Sequence, residues 1–167
     1  MHVDLFTVTE QTYIEKDFIK VLYDPNNNLH KYKQNQNLEL SDDEFQDAVD
    51  DTAWFLFQYK KSAARGNDIW SVNMLHHVMT NLSRVLLHKY NPNRAQLGLK
   101  TIEKSLPEKI FNQIKLIYEN MTPEKHNRAV ILICELLENE SEWIFSNVAD
   151  PEKIKPLWER MVSTFTI

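Results

Sequence analysis

Carboxylates are the residues of this chain whose spacing most suggests chemistry. Asp42, Asp43, Glu44, Asp47, Asp50 and Asp51 crowd into ten consecutive positions. On a helix, Asp43, Asp47, Asp50 and Asp51 would share much of one side, with no lysine nearby in sequence to relieve their repulsion. Acids in a first turn complement the positive end of a helix, which accounts simply for part of the set. Asp50 and Asp51 lie beyond that turn, so they point to a pocket wall that attracts a cation or supplies a general base. Asp43 and Asp47 would then help to bind that cation. Asp4 stands apart, a single acid within Val3-Asp4-Leu5-Phe6-Thr7-Val8. An acid there is costly unless it reaches a strand end, a partner or a metal. It reads either as an exposed edge acid or as a catalytic carboxylate for Mg²⁺, an ion that takes a few hard oxygen ligands together with substrate phosphates.

The other chemically capable residues carry weaker signals. His76 and His77 are adjacent and would point about 100° apart on a helix. With His88 they lack the spacing of a zinc site, and no HExxH is present. Arg84 and His88, four apart, could face together. The single cysteine, Cys134, falls in the apolar run Val130 to Leu137 and reads as a buried structural thiol. The aromatic group Trp54 to Phe57 reads as core more than as a stacking platform.

These residues must be positioned by helices. Val3–Val8 and Phe18–Tyr23 read as two short strands, the second stopping at the turn Asp24-Pro25-Asn26-Asn27-Asn28. Two such strands make no stable sheet alone, so they read as the remnant of a larger α/β domain. Residues 26–37, with five Asn and two Gln, form a polar loop, and a domain boundary is expected near residue 40. Ser41 and Glu44 then form a capping box that opens a helix carrying Phe45, Val49, Ala53, Trp54, Phe57 and Ala64, closed by Gly66 in a left-handed conformation. Asn67 or Asp68 starts a second helix with Ile69, Val72, Leu75, Val78, Met79, Leu82, Val85 and Leu86 inward. Ser105, Pro107 and Glu108 open a third, Thr122-Pro123 a fourth, and Asp150-Pro151 followed by Pro156 a final broken helix. The expected fold is mainly α: an antiparallel four- to five-helix bundle over 41–167, preceded by a two-stranded β remnant in 1–40.

Composition narrows the function classes. Only two glycines occur in 167 residues, which disfavours phosphate loops and Rossmann turns. One cysteine excludes an intrachain disulfide framework and fits a reducing, cytoplasmic setting. Charges interrupt every apolar stretch well short of about 18 residues, so no membrane span is expected. A net charge of −5 suits a cationic small molecule and disfavours general nucleic-acid binding.

The order of a strand with Val3-Asp4-Leu5, a strand ending in Leu22-Tyr23-Asp24, a polar loop, an acid-started helix, Arg65-Gly66 and a long helix resembles a known family. It is similar to the C-terminal half of antibiotic nucleotidyltransferases, the lincosamide, kanamycin and streptomycin adenylyltransferase group. The most telling stretch runs from Phe57-Gln58-Tyr59 through Arg65-Gly66-Asn67 and Trp70 to the Leu75–Leu87 helix. The likeness is one of layout over most of the chain. It implies a missing N-terminal sheet with a Gly-Ser turn and two carboxylates for Mg²⁺-nucleoside triphosphate, with Asp4 as a third, metal-binding carboxylate. It implies also that the helical part forms the site for a small antibiotic-like acceptor. Where some members place a glutamate base, this chain has Gln58, a substrate-binding but non-basic residue, and Asp50 or Asp51 would replace it. Lacking the Gly-Ser turn and paired carboxylates, the chain is not expected to bind nucleotide or catalyse transfer alone. Its expected partners are the missing catalytic domain or a separate nucleotidyltransferase subunit. A non-catalytic helical subunit that docks such an enzyme, or a homodimer, is the alternative.

Overall fold

The computed structural model describes Thr7, Thr9 and residues 20–29 and 37–166. The chain divides into two units, Met1–Leu38 and Glu39–Ile167. In the first, the expected turn is present. Asn27 N–H donates to Asp24 O at 3.1 Å, and the Asp24 carboxylate accepts from Asn28 N and Leu29 N at 3.0 and 2.8 Å. Asn27 takes the left-handed φ of 54° that asparagine tolerates. The expected strand Val3–Val8, apart from Thr7, lies outside the described residues, as do Phe18 and Ile19. The described remainder of the second run, Lys20–Tyr23, forms no strand.

The second unit is helical. Its elements are α1 (Asp42–Ala63), α2 (Asp68–Tyr90), a 3₁₀ segment (Pro92–Lys100), α3 (Ile102–Ser105), α4 (Glu108–Glu119), α5 (His126–Asn147) and α6 (Pro151–Phe165). The capping box forms in full: Ser41 Oγ accepts from Glu44 N at 3.3 Å and Ser41 N donates to Glu44 Oε2 at 2.8 Å. α1 ends in a Schellman turn. Asn67 N–H donates to Ser62 O and Gly66 N–H to Ala63 O, with Gly66 at φ 67°. That tight joint folds α2 back along α1. Ser62 meets Ser71 at 2.8 Å, and ring stacking pairs Phe55 with His77 and Phe45 with His88.

The bundle is not uniformly antiparallel. α6 runs parallel to α1, since Gln46 meets Asp150, Asp50 meets Lys153 and Lys60 meets Thr164 in ascending order. α5 runs parallel to α2, with His126 at Asp68 and Glu140 at Lys89. A parallel α2–α5 pair needs a return path, which the 3₁₀ segment, α3 and α4 provide. Gly98 makes the bend within that path. Its φ of 51° and ψ of −133° are open to glycine, and its Cα side packs so closely on α2 that a Cβ would sit 3.1 Å from Ser83 Oγ.

The core draws on every long helix: Phe45, Leu56 and Tyr59 from α1, Leu75, Met79, Leu82 and Leu86 from α2, and Ile114 and Ile117 from α4. α5 adds Ile133 and Leu137, and α6 adds Trp158 and Met161. Burying each such side chain contributes roughly 1.5–3 kcal/mol. Trp158 keeps its indole N–H satisfied by donating to Ser141 Oγ at 2.9 Å.

Several boundaries differ from expectation. Ser105 closes α3 and bonds Thr101 Oγ1 at 2.8 Å, and Pro107 takes the cap position of α4. α5 starts at His126 because Thr122–Lys125 coil into a turn first. α6 is one continuous helix containing Pro156, not a broken one. Trp54, expected in the core, is 49% exposed and packs on Phe57, while Ile69 is 80% exposed. Both sit at the edge of the apolar arc of their helix, where periodicity alone does not separate core from surface.

Candidate functional site

The acidic residues of α1 part company once the helix is packed. Asp42 and Asp43 are exposed in its first turn, where they complement the helix dipole. Asp50 faces α6. Its carboxylate accepts from Gln46 Nε2 at 2.7 Å and pairs with Lys153 Nζ at 3.1 Å. The expectation of a stripe without a lysine therefore fails at Asp50, because α6 brings the cation that the local sequence lacks. Asp50 is a joint between helices.

Asp51, turned about 100° from Asp50, faces α2. The Asp51 side chain is exposed, and the desolvation it keeps beside α2 raises its carboxyl from the ordinary 3.8, with the nearby charges of Asp47 and Asp50 adding to the rise. Arg84 and His77 on α2 pull it partly back. His77 is held by stacking on Phe55, with ring centroids 4.7 Å apart, and lies 3.4 Å from Asn73 Nδ2. Asp47 is exposed one turn before Asp51, and Gln58 is half-buried two turns after it. Asp47, Asp51 and Gln58 thus share one edge of α1 at steps of four and seven residues. Of the three, Asp51 is the one set against charges of α2. The structure leaves Asp43 at the helix start and moves Asp50 to the α6 side. Asp4 lies outside the described residues.

The histidines also separate. His76 approaches Tyr118 of α4, with centroids 6.1 Å apart. His88 stacks on Phe45 at 4.3 Å with Trp143 at 6.2 Å, and its Nδ1 is buried without a hydrogen-bond partner. Burial lowers its pKa, an effect that the charges of Asp42 and Glu39 oppose. Arg84 and His88 face different neighbours and form no pair.

Two polar constellations escaped sequence reasoning. At the start of α5, buried His126 lies 2.8 Å from Tyr59 Oη through Nδ1 and 3.2 Å from Asp68 Oδ1 through Nε2. Tyr59 and His126 are buried, so this chain of bonds locks three helices together, and only its outer end, the half-exposed Asp68 carboxylate, meets solvent. At the other end, buried Glu140 accepts from Lys89 Nζ at 2.8 Å and from Tyr90 Oη at 2.9 Å, while Lys89 also lies over the Trp143 ring. Glu140 could have been suspected, since it falls in register with Leu136, Leu137 and Ile144 on an otherwise apolar face.

Cys134 is fully buried, and burial first, then Glu135 and Glu138, push its thiol up to about 12. It stays protonated and unreactive at neutral pH. Among the described residues, no group of three or more His, Cys, Asp or Glu could hold a metal ion. No helix among the described residues is long and apolar enough to cross a membrane. Comparison of the chain with protein-family models, curated proteins and solved structures gives no match.

Proposed function

We propose that this chain is the helical, acceptor-binding portion of a nucleotidyltransferase-like protein. The inferred reaction transfers a nucleoside monophosphate from a nucleoside triphosphate to a hydroxyl of a small cationic acceptor. Layout and the resemblance given above support the class, and the observation that carries the site is Asp51. Although exposed, Asp51 has a carboxyl raised by its surroundings, which favours proton abstraction because a general base works best with a pKa nearer the working pH. Asp51 would take the acceptor's hydroxyl proton as that oxygen bonds to the α-phosphorus and pyrophosphate departs. Asp43 and Asp47 would draw in the cation, and Gln58 would donate or accept a hydrogen bond without changing charge. Asp4 would remain the metal carboxylate, with Mg²⁺ supplying charge neutralisation at the phosphates when bound.

The test pairs this chain with a catalytic domain carrying a Gly-Ser turn and two carboxylates, and follows transfer of labelled nucleotide. Asp51→Asn should lower kcat by at least about a hundredfold, the scale of a lost general base, and Asp50→Asn should leave it near the native value. Equal activity of Asp51→Asn and native protein would remove this reading.

The alternative, a non-catalytic helical subunit that docks a separate nucleotidyltransferase or a second copy of itself, draws support from another observation. Ile69 and Trp70 are 80% and 58% exposed beside Gly66 and Pro123. Trp70→Ala should then abolish association in sedimentation velocity while Asp51→Asn leaves it intact.

A further inference from the structure

Away from the α1 edge, α3 and α4 frame an open concavity of about 500 Å³, within the size range of small-molecule sites. Leu99, Ile102, Phe111 and Ile114 supply its apolar lining, and Glu103, Lys115 and Tyr118 its polar lining. Lys115 and Tyr118 are three residues apart on α4, so they lie side by side. Among the described residues neither the Lys115 ammonium, the Glu103 carboxylate nor the Tyr118 hydroxyl makes an ion pair or hydrogen bond. Partial burial raises the Tyr118 pKa, which keeps the hydroxyl a donor.

We propose that this concavity binds a small amphipathic monocarboxylate, with its hydrocarbon body on Ile102, Phe111 and Ile114 and its carboxylate accepting from Lys115 Nζ and Tyr118 Oη. Charge complementarity selects the head group: two adjacent donors, one cationic, match a carboxylate. Glu103 in the same lining repels a second negative charge, which disfavours dicarboxylates and phosphate monoesters. The apolar lining requires a body of several carbons. This site is independent of the transfer reading, since it uses none of the α1 carboxylates.

The full chain, labelled at isoleucine methyls, is titrated with decanoate below its micellar concentration and observed by NMR. Saturable shifts at Ile102 and Ile114 are expected, with Ile133 on α5 unmoved. Lys115→Met should weaken binding about tenfold, as loss of a charge-assisted bond predicts. Tyr118→Phe should weaken it less, and decanol and decanedioate should bind more weakly than decanoate. Lys115 is exposed and Tyr118→Phe keeps the ring, so both variants should retain the native methyl spectrum. Should either lose it, Lys115→Gln serves in its place. Absence of saturable shifts, equal binding of decanol, or undiminished affinity in Lys115→Met would overturn the proposal.

Discussion

The carboxylate of Asp50 meets Lys153 Nζ at 3.1 Å, and the same Asp50 is held at 2.7 Å by Gln46, whose Oε1 accepts the Asp150 amide at 2.9 Å. One glutamine therefore ties an α1 acid to the entry of α6. Gln46→Ala deletes two hydrogen bonds and should lower unfolding free energy by about 1–2 kcal/mol, read as a shifted urea midpoint with an unchanged slope. Asp50→Asn should cost less, because Lys153 is largely solvated and solvent screens its side of the pair. An equal cost would move the weight of the joint onto the ion pair.

Glu140 is the most consequential buried charge. Glu140→Ala removes the acceptor of both Lys89 and Tyr90 Oη, and should cost about 1–3 kcal/mol, the usual effect of leaving partly buried donors unpaired. Guanidinium denaturation measures it. A loss below about 1 kcal/mol would mean that water already reaches the site.

His88 should make the bundle acid-sensitive. Burial holds its folded pKa below the ordinary 6.5. As pH falls below that value the unfolded chain takes up a proton that the folded chain refuses, so stability is full above 6.5 and declines toward the lowered pKa. His88→Phe should flatten the stability profile between about pH 7 and 5, followed by melting temperature.

Asp51 carries the opposite sign. Its folded pKa lies above the ordinary 3.8, so its contribution is full below 3.8 and is lost as pH rises through the raised value. Asp51→Asn should match the native protein in strong acid and be the more stable of the two near neutrality. A variant less stable at neutral pH would mean that Arg84 and His77 outweigh burial and the two neighbouring acids.

The two glycines should respond differently to alanine. Gly66 has φ 67° with open space around it, so Gly66→Ala should cost about 1 kcal/mol from backbone alone. Gly98 adds a 3.1 Å approach to Ser83 Oγ and a ψ of −133°, so Gly98→Ala should cost more, about 2–3 kcal/mol. Thermal unfolding of the pair gives the comparison.

Local signals carried much of the helical architecture. The Ser41–Glu44 box, the Gly66 turn and the α2 stop before Pro92 depend on residues a few positions apart, and each is present as read. What escaped depends on distant residues. Lys153 neutralises Asp50, and Lys89 and Tyr90 satisfy Glu140, through contacts that no local window contains. The parallel pairing of α1 with α6 was hidden for the same reason, because the α3–α4 return path decides it. Along α1, the 100° between Asp50 and Asp51 decided which acid turns toward α2 and which meets Lys153.

Placing the last helix against the first has a consequence for synthesis. Tyr59 packs on the Phe165 ring, 5.6 Å between centroids, and Lys60 bonds Thr164, so α1 stays uncovered on that flank until α6 has left the ribosome. Folding of the bundle should therefore finish only after α6 clears the exit tunnel, with the earlier helices exposed to chaperones until then. A stalled nascent chain ending near residue 150 should remain protease-sensitive within α1, and one extended by a C-terminal tether that clears the exit tunnel should become resistant.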